Sequence, residues 1–438
     1  MRASPPEKLI LTACGLLFVI GLLSVVVAIN FPQRLGLPTF NSDGLVFMHA
    51  VRDYARGQSL YFSAPPPPGA DLQPYLTRFL YPPVAVWVLF PFFAGPAVIA
   101  GPLWMVVTCL LFLAVAFDLA TRLARALDLP APVPVAAAVT LTLGLWYPFV
   151  AHLGMGQVDV LVLALCYYAA VARQRRPGLA ALALALATGV KLFPVLLVVY
   201  LLIADRGRAR RFLAAYGLII AGIVALAWLG FGAATFREWL AATAYHEAHV
   251  NTYLGNQSVI GTLARLLGPE GARGDLPLYL ALKHAVQVLA PLAGGLALWL
   301  LARRRAVSAP ALLGVEALLS AFVMAYVLAS PLFWIQSHVI LLPVFFLLAG
   351  QVLGPSRRGP ALTYLLAGLL IGAMALQFTA WFAPPATIAL PGFDFLLYHR
   401  YVLSQLMLAA ALVLCLPPLL QGEGAGGEAS AAARTTTV

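Results

Sequence analysis

Apolar runs separated by short arginine-bearing breaks dominate this chain. Runs near 9–29, 97–119, 132–150, 158–172, 177–189, 191–204, 212–230, 279–302, 310–330, 338–353, 361–381 and 399–419 read as helices, about twelve in all. The pattern predicts an all-α fold: a polytopic integral membrane helical bundle with a long first outer loop. Runs 177–189 and 191–204 are short for a bilayer and are expected inside the bundle, where broken helices are tolerated around a cavity. Residues 79–93 are apolar but short, and Pro82, Pro83 and Pro91 punctuate them. That segment reads as an interfacial or re-entrant piece leading into the next span.

Composition agrees with a membrane protein. Of 438 residues, 62% are hydrophobic and only 10% charged, where soluble domains have about 25% charged. The net charge of +11 is informative by position. Arg122/Arg125, Arg173/Arg175/Arg176, Arg206/Arg208/Arg210/Arg211, Arg303/Arg304/Arg305 and Arg357/Arg358 fall on the side of Arg2 and Lys8 if about twelve spans are counted. Both termini are then expected in the cytoplasm, with the first run an uncleaved anchor. The arginines form no continuous basic face, which argues against a nucleic-acid partner. Cys14, Cys109, Cys166 and Cys415 lie far apart inside apolar runs and read as buried thiols, not as a disulfide or metal framework. Residues 1–420 read as one transmembrane domain, and 421–438 as a low-complexity, disordered cytoplasmic tail. No internal repeat is visible, which counts against a transporter built from inverted halves.

The side opposite the arginines collects the loop 30–96, the turn Gly154 to Asp159, the break at Val190-Lys191, the loop 231–278, residues 330–338 and a late loop at 382–398. Asp43, Gln157, Asp159, Lys191, Asn256, Gln257, Arg265, Trp334, Gln336 and His338 all map there. An acid, cations and amides converging on one face suit an anionic, hydroxyl-rich ligand. Each has an ordinary alternative. Asp43 could cap a helix beginning at Gly44, and Gln157 and Asp159 could cap the span that follows them. Lys191 could snorkel to the interface. Asn256-Gln257-Ser258 fits a glycosylation acceptor pattern that is common by chance, and Gly154/Gly156 is only weakly like a phosphate-cradling loop. His246-Glu247-Ala248-His249 is one residue short of a zinc-protease helix motif and reads better as an exposed pair in a loop.

Several short stretches together resemble glycosyltransferase family 87, membrane enzymes of the GT-C class that include polyprenyl-phosphomannose-dependent α-mannosyltransferases of actinobacteria. They are Asp43 with Gly57-Gln58-Ser59-Leu60-Tyr61, Tyr81-Pro82-Pro83, Gly156-Gln157, Thr188-Gly189-Val190-Lys191-Leu192-Phe193-Pro194, Gly255-Asn256-Gln257-Ser258 with Arg265, and Ser330-Pro331-Leu332-Phe333-Trp334. The likeness runs from about residue 35 to 345, and order and spacing give it its specificity. It implies a GT-C-like bundle and a catalytic aspartate in the first outer loop, Asp43. Family members often have histidine where this chain has Gln336 and Ser337; His338 is the nearest substitute.

The expected reaction moves a hexose, mannose by the resemblance, from a polyprenyl-phosphate donor to a lipid or glycan acceptor at the outer face of a bacterial cytoplasmic membrane. Asp43 would act as general base with inversion. Lys191, Arg265 and His338 would bind the donor phosphate. Gln157, Asn256 and Gln257 would hold sugar hydroxyls, and Trp334 or Tyr61 would pack on the sugar's apolar face. No cofactor or metal is expected. The rival readings are a transporter or flippase of a lipid-linked saccharide, a lipid-donor arabinosyltransferase or oligosaccharide ligase, and a purely structural membrane protein.

Overall fold

The computed structural model describes residues 5–30, 42–77, 79–205, 210–248, 256–266, 277–304, 313–354, 360–378 and 399–420. Secondary structure among them is helical, with two isolated bridges, Phe62 to Leu76 and Asn256 to Trp334. The first half of the chain forms α1 (Pro5–Asn30), α2 (Ser42–Ala55), α3 (Val84–Phe93), α4 (Ala97–Ala126), α5 (Pro132–Gly144), α6 (Tyr147–Met155), α7 (Asp159–Ala172), α8 (Pro177–Val190) and α9 (Val195–Asp205). The second half forms α10 (Arg210–Ala248), α11 (Val259–Leu266), α12 (Pro277–Arg304), α13 (Leu313–Ala329), α14 (Leu342–Leu353), α15 (Pro360–Phe378) and α16 (Arg400–Leu420). A 3₁₀ segment, Ile335–Leu341, runs directly into α14.

Neighbours in sequence pack as neighbours in space: α4 on α5, α7 on α8, α12 on α13 and α15 on α16. The links from α4 to α5 and from α7 to α8 are only five and four residues long, which leaves antiparallel pairing as the available geometry there. Many large apolar side chains point outward, among them Val98, Leu218 and Leu229, each about 80% exposed. A helical protein that presents such a surface is built for lipid contact. Five helices among the described residues are long and apolar enough to cross a membrane, and six if the pair α5–α6, bent by 57°, is one span.

One expectation about the connecting segments changes, and the short 79–93 segment takes a definite form. Residues 231–278 are not all loop: α10 continues through Gly232 to Ala248. Gly232 bends the helix at φ 75°, ψ 163°, a conformation essentially confined to glycine. His246 and Glu247 therefore lie on a helix, and Glu247 pairs with Lys283 at 3.2 Å; His249 lies outside the described residues. Within 79–93, α3 has ten residues and rises only about 15 Å, half the thickness of a bilayer's hydrocarbon core. It is tucked into the bundle through Val84, Ala85, Val86, Leu89 and Phe93. The proposed tail 421–438, the loop 382–398 and several arginines (Arg206, Arg208, Arg305, Arg357, Arg358) lie outside the described residues.

Helix α7 sets the polarity of the bundle. It starts at Asp159 and ends at Ala172, so Arg173, Arg175 and Arg176 sit about 20 Å from Asp159 at its other end. The candidate polar residues gather at the Asp159 end.

Candidate functional site

Asp43 occupies the first turn of α2, where a carboxylate meets the positive end of the helix dipole. Its Oδ2 accepts a hydrogen bond of 2.5 Å from Gln157 Nε2. The turn between α6 and α7 delivers Gln157. Gly156 ends α6 at φ 71°, which turns the chain sharply, and Trp104 Nε1 donates to the carbonyls of Gly156 and Gln157 at 3.0 and 3.1 Å. The other side of the Gln157 amide accepts from Tyr81 Oη at 3.1 Å and from the Val158 N–H at 3.2 Å.

Lys191 stands over the Tyr81 ring, 5.7 Å from its centroid. It caps the C-terminal end of α8 in extended backbone (φ −138°, ψ 141°), and its ammonium lies 2.5 Å from Asp159 Oδ1. Asp159 is fully buried in the first turn of α7, and its Oδ2 accepts from Ser337 Oγ at 2.8 Å. Both charges sit at the favourable ends of their helix dipoles. Lys191 does not snorkel; it neutralises a buried carboxylate. Asp159 is not the cap residue of α7, a position that Val158 occupies.

A second group forms where residues 256–258 meet 331–334. Asn256 is completely buried: its Nδ2 donates to the Pro331 carbonyl at 2.9 Å, and its Oδ1 accepts from the Phe333 N–H at 3.0 Å. The Gln257 N–H donates to the Phe333 carbonyl at 2.7 Å, and the Gln257 carbonyl accepts from Gln405 Nε2 at 2.9 Å. Arg265 on α11 braces the same seam, donating to the Asn256 carbonyl, Thr262 Oγ1 and His399 Nε2 at 2.9, 2.9 and 3.1 Å. Trp334 is half-exposed beside it.

The structure thus brings Asp43, Gln157 and Lys191 into one connected cluster. Ser337 links it, through Asp159, to the Asn256, Gln257, Arg265 and Trp334 seam. Three expectations do not survive in their original form. His338 is fully buried: its Nδ1 faces the Trp334 and Ile335 carbonyls, Gln405 meets its Nε2 at 2.9 Å, and Phe333 and Tyr401 flank its ring. It is a core histidine and is not presented to a phosphate, because the 3₁₀ segment turns it toward α16. Tyr61 is fully buried against Phe79, its hydroxyl donating to the Tyr81 carbonyl at 2.7 Å. It therefore supports Tyr81 from behind and has no face to offer a sugar. The Asn256 amide is committed to backbone, so it ties two loops together and is not displayed to a ligand.

Sequence reasoning assigns no role to Tyr81 or Ser337. Tyr81 had a signal, because it precedes Pro82-Pro83 at the start of a short buried helix. Ser337 is marked only by the resemblance, as one of the two positions where family members often have histidine.

Burial raises the Tyr81 phenol well above its ordinary pKa, and Lys191 offsets this only in part. It remains a neutral hydrogen-bond donor toward Gln157 at physiological pH. Burial lowers Arg265 from 12.5 to about 10, so the guanidinium stays charged near neutrality. Among the described residues no group of three or more His, Cys, Asp or Glu is placed to hold a metal.

A polytopic helical bundle with a polar cluster of acid, amide and cation at one end defines a class of membrane-embedded enzymes and carriers. Comparison with family models narrows it: the model described as Glycosyltransferase family 87 matches residues 79–331, more than half of the chain. The chain belongs to glycosyltransferase family 87 and is a glycosyltransferase. No curated protein and no solved structure gives a significant match.

Proposed function

We propose that this glycosyltransferase moves a hexosyl group, mannosyl by family resemblance, from a polyprenyl-phosphate donor to a lipid or glycan acceptor at the outer face of the cytoplasmic membrane. The observation that supports it is the continuous path from Asp43 through Gln157 and Tyr81 to Lys191 at the end of the bundle away from Arg173–Arg176. Asp43 takes the proton of the acceptor hydroxyl. The oxygen attacks the anomeric carbon with inversion, and the bond to the phosphate oxygen breaks as polyprenyl phosphate leaves with the electron pair. A well-placed general base contributes about 10²–10⁴-fold to such a step.

Lys191 has three N–H donors, of which the Asp159 contact takes one, so phosphate oxygen can share the ammonium. Arg265 supplies further positive charge to the departing phosphate, and Trp334 packs on the sugar. In a water-poor cleft such charges act more strongly than in bulk solvent.

The test is Asp43→Asn in the full chain, reconstituted in liposomes with polyprenyl-phosphate mannose and assayed by mass spectrometry of products. Transfer is expected to fall about a hundredfold or more with the melting temperature unchanged. Near-normal turnover would remove Asp43 from the mechanism.

A further inference from the structure

Helix α2 extends away from Asp43 beside a groove that the transfer step does not use. Val46, Ala50 and Asp53 follow Asp43 at three, seven and ten residues, a spacing that puts all four on one helix face. Two cavities of about 280 and 720 Å³ lie along that face. Val46 and Ala50 line the first, Arg237 and Glu238 of α10 line the second, and Asp53 and Thr77 line both. They are neighbouring hollows that share Asp53 and Thr77 as walls, and Asp53 lies about 15 Å along α2 from Asp43, which is one turn before Val46.

The chemistry of the lining selects an occupant. Asp53 and Glu238 offer carboxylate acceptors, Arg237 offers donors and Gln58 offers both; Leu72 adds an apolar wall. Glu238 is already held in place, accepting from Ser59 Oγ at 2.8 Å. Among the described residues, Asp53 and Arg237 make no ion pair. Two acids against one guanidinium repel a polyanion, and carboxylates set among Phe62, Pro65, Pro66 and Leu72 do not suit a purely apolar lipid tail. Hydroxyl edges and C–H faces of linked sugars match it.

We propose that this groove binds the saccharide portion of the acceptor, seating sugar units that extend from the reacting hydroxyl at Asp43 toward Asp53 and Glu238. The inference rests on the proposed transfer taking place at the Asp43 end of α2.

The experiment uses the full chain in nanodiscs and two probes, octyl α-mannoside and the corresponding octyl trimannoside, with binding read by thermophoresis. The trimannoside is expected to bind about tenfold tighter or more. Ala241→Trp, which fills the groove from an exposed position, should bring the affinity ratio close to one. Should that variant lose its melting transition, Glu238→Gln decides instead; it keeps the shape and should cut the ratio by about threefold to tenfold. No preference for the longer saccharide, including no binding of either probe, overturns the proposal. So does a ratio unchanged in the deciding variant. Asp43→Asn separates this inference from the proposed mechanism. If it still turns over while the deciding groove variant erases the length preference, the groove stands and the general-base assignment falls.

Discussion

Gln157 Nε2 lies 2.5 Å from Asp43 Oδ2, joining positions 114 residues apart in sequence. The same amide reaches Tyr81 through its oxygen, so one buried side chain sets the carboxylate against the aromatic ring that lies beneath Lys191. Geometry of this kind would hold the proposed base in position.

Replacing Gln157 with leucine should therefore lower kcat about tenfold or more while KM for donor and acceptor moves by less than about threefold. The sequence alone casts Gln157 as a binder of sugar hydroxyls, and steady-state kinetics separate the two roles. A raised KM with kcat intact would return Gln157 to substrate binding.

The Lys191–Asp159 pair makes a different demand. Asp159 is fully buried, so truncating Lys191 strands a charge in a water-poor interior, a loss of about 3–5 kcal/mol for pairs of this kind. Lys191→Ala should melt at a clearly lower temperature, and the neutral pair Lys191→Met with Asp159→Asn should recover most of that loss. Melting in detergent checks it: equal destabilisation by the single and double variants would mean the two side chains are not coupled.

How much of this was readable beforehand depended on whether the signal was local. Long apolar runs became α4, α12 and α15 because nothing competes with helix in such stretches. The second half of α10, and α11, lie in a mixed stretch with no clear apolar period, and no local signal announces that Gly232 bends a helix without ending it. Asp43, Gln157 and Lys191 were visible because each is a polar residue at an apolar end. The bond between Lys191 and Asp159 was not visible, since each taken alone looks like an ordinary helix-end charge. His338 misled because proximity to Trp334 in sequence says nothing about the direction in which a 3₁₀ turn points a side chain.

Close packing also protects the site. A Cβ on Gly189 would lie 2.7 Å from Val84 Cγ1, where α8 meets the start of α3 just beyond Tyr81. Gly189→Ala should destabilise by about 1–3 kcal/mol and reduce transfer by displacing the Tyr81-Pro82-Pro83 segment. Adding Val84→Ala makes room and should restore most of both. Loss without rescue would place the fault in α8 itself and not in its contact with α3.

The charge state of Arg265 gives a pH test. Burial lowers its pKa from 12.5 to about 10, so the folded protein gives up this proton before the unfolded chain does. Between those values the unfolded state binds more protons, and stability from this group rises with pH. If the guanidinium grips donor phosphate, donor KM should climb as pH passes about 10 while acceptor KM holds steady. Since the sign of the linkage is opposite, unfolding driven by Arg265 cannot mimic that climb. Arg265→Lys should move the climb to lower pH, because an ammonium buried in the same place starts from a lower intrinsic pKa. Donor KM profiles that superimpose for the two proteins would exclude Arg265 from phosphate binding and leave it as the brace between α11 and the Asn256 loop.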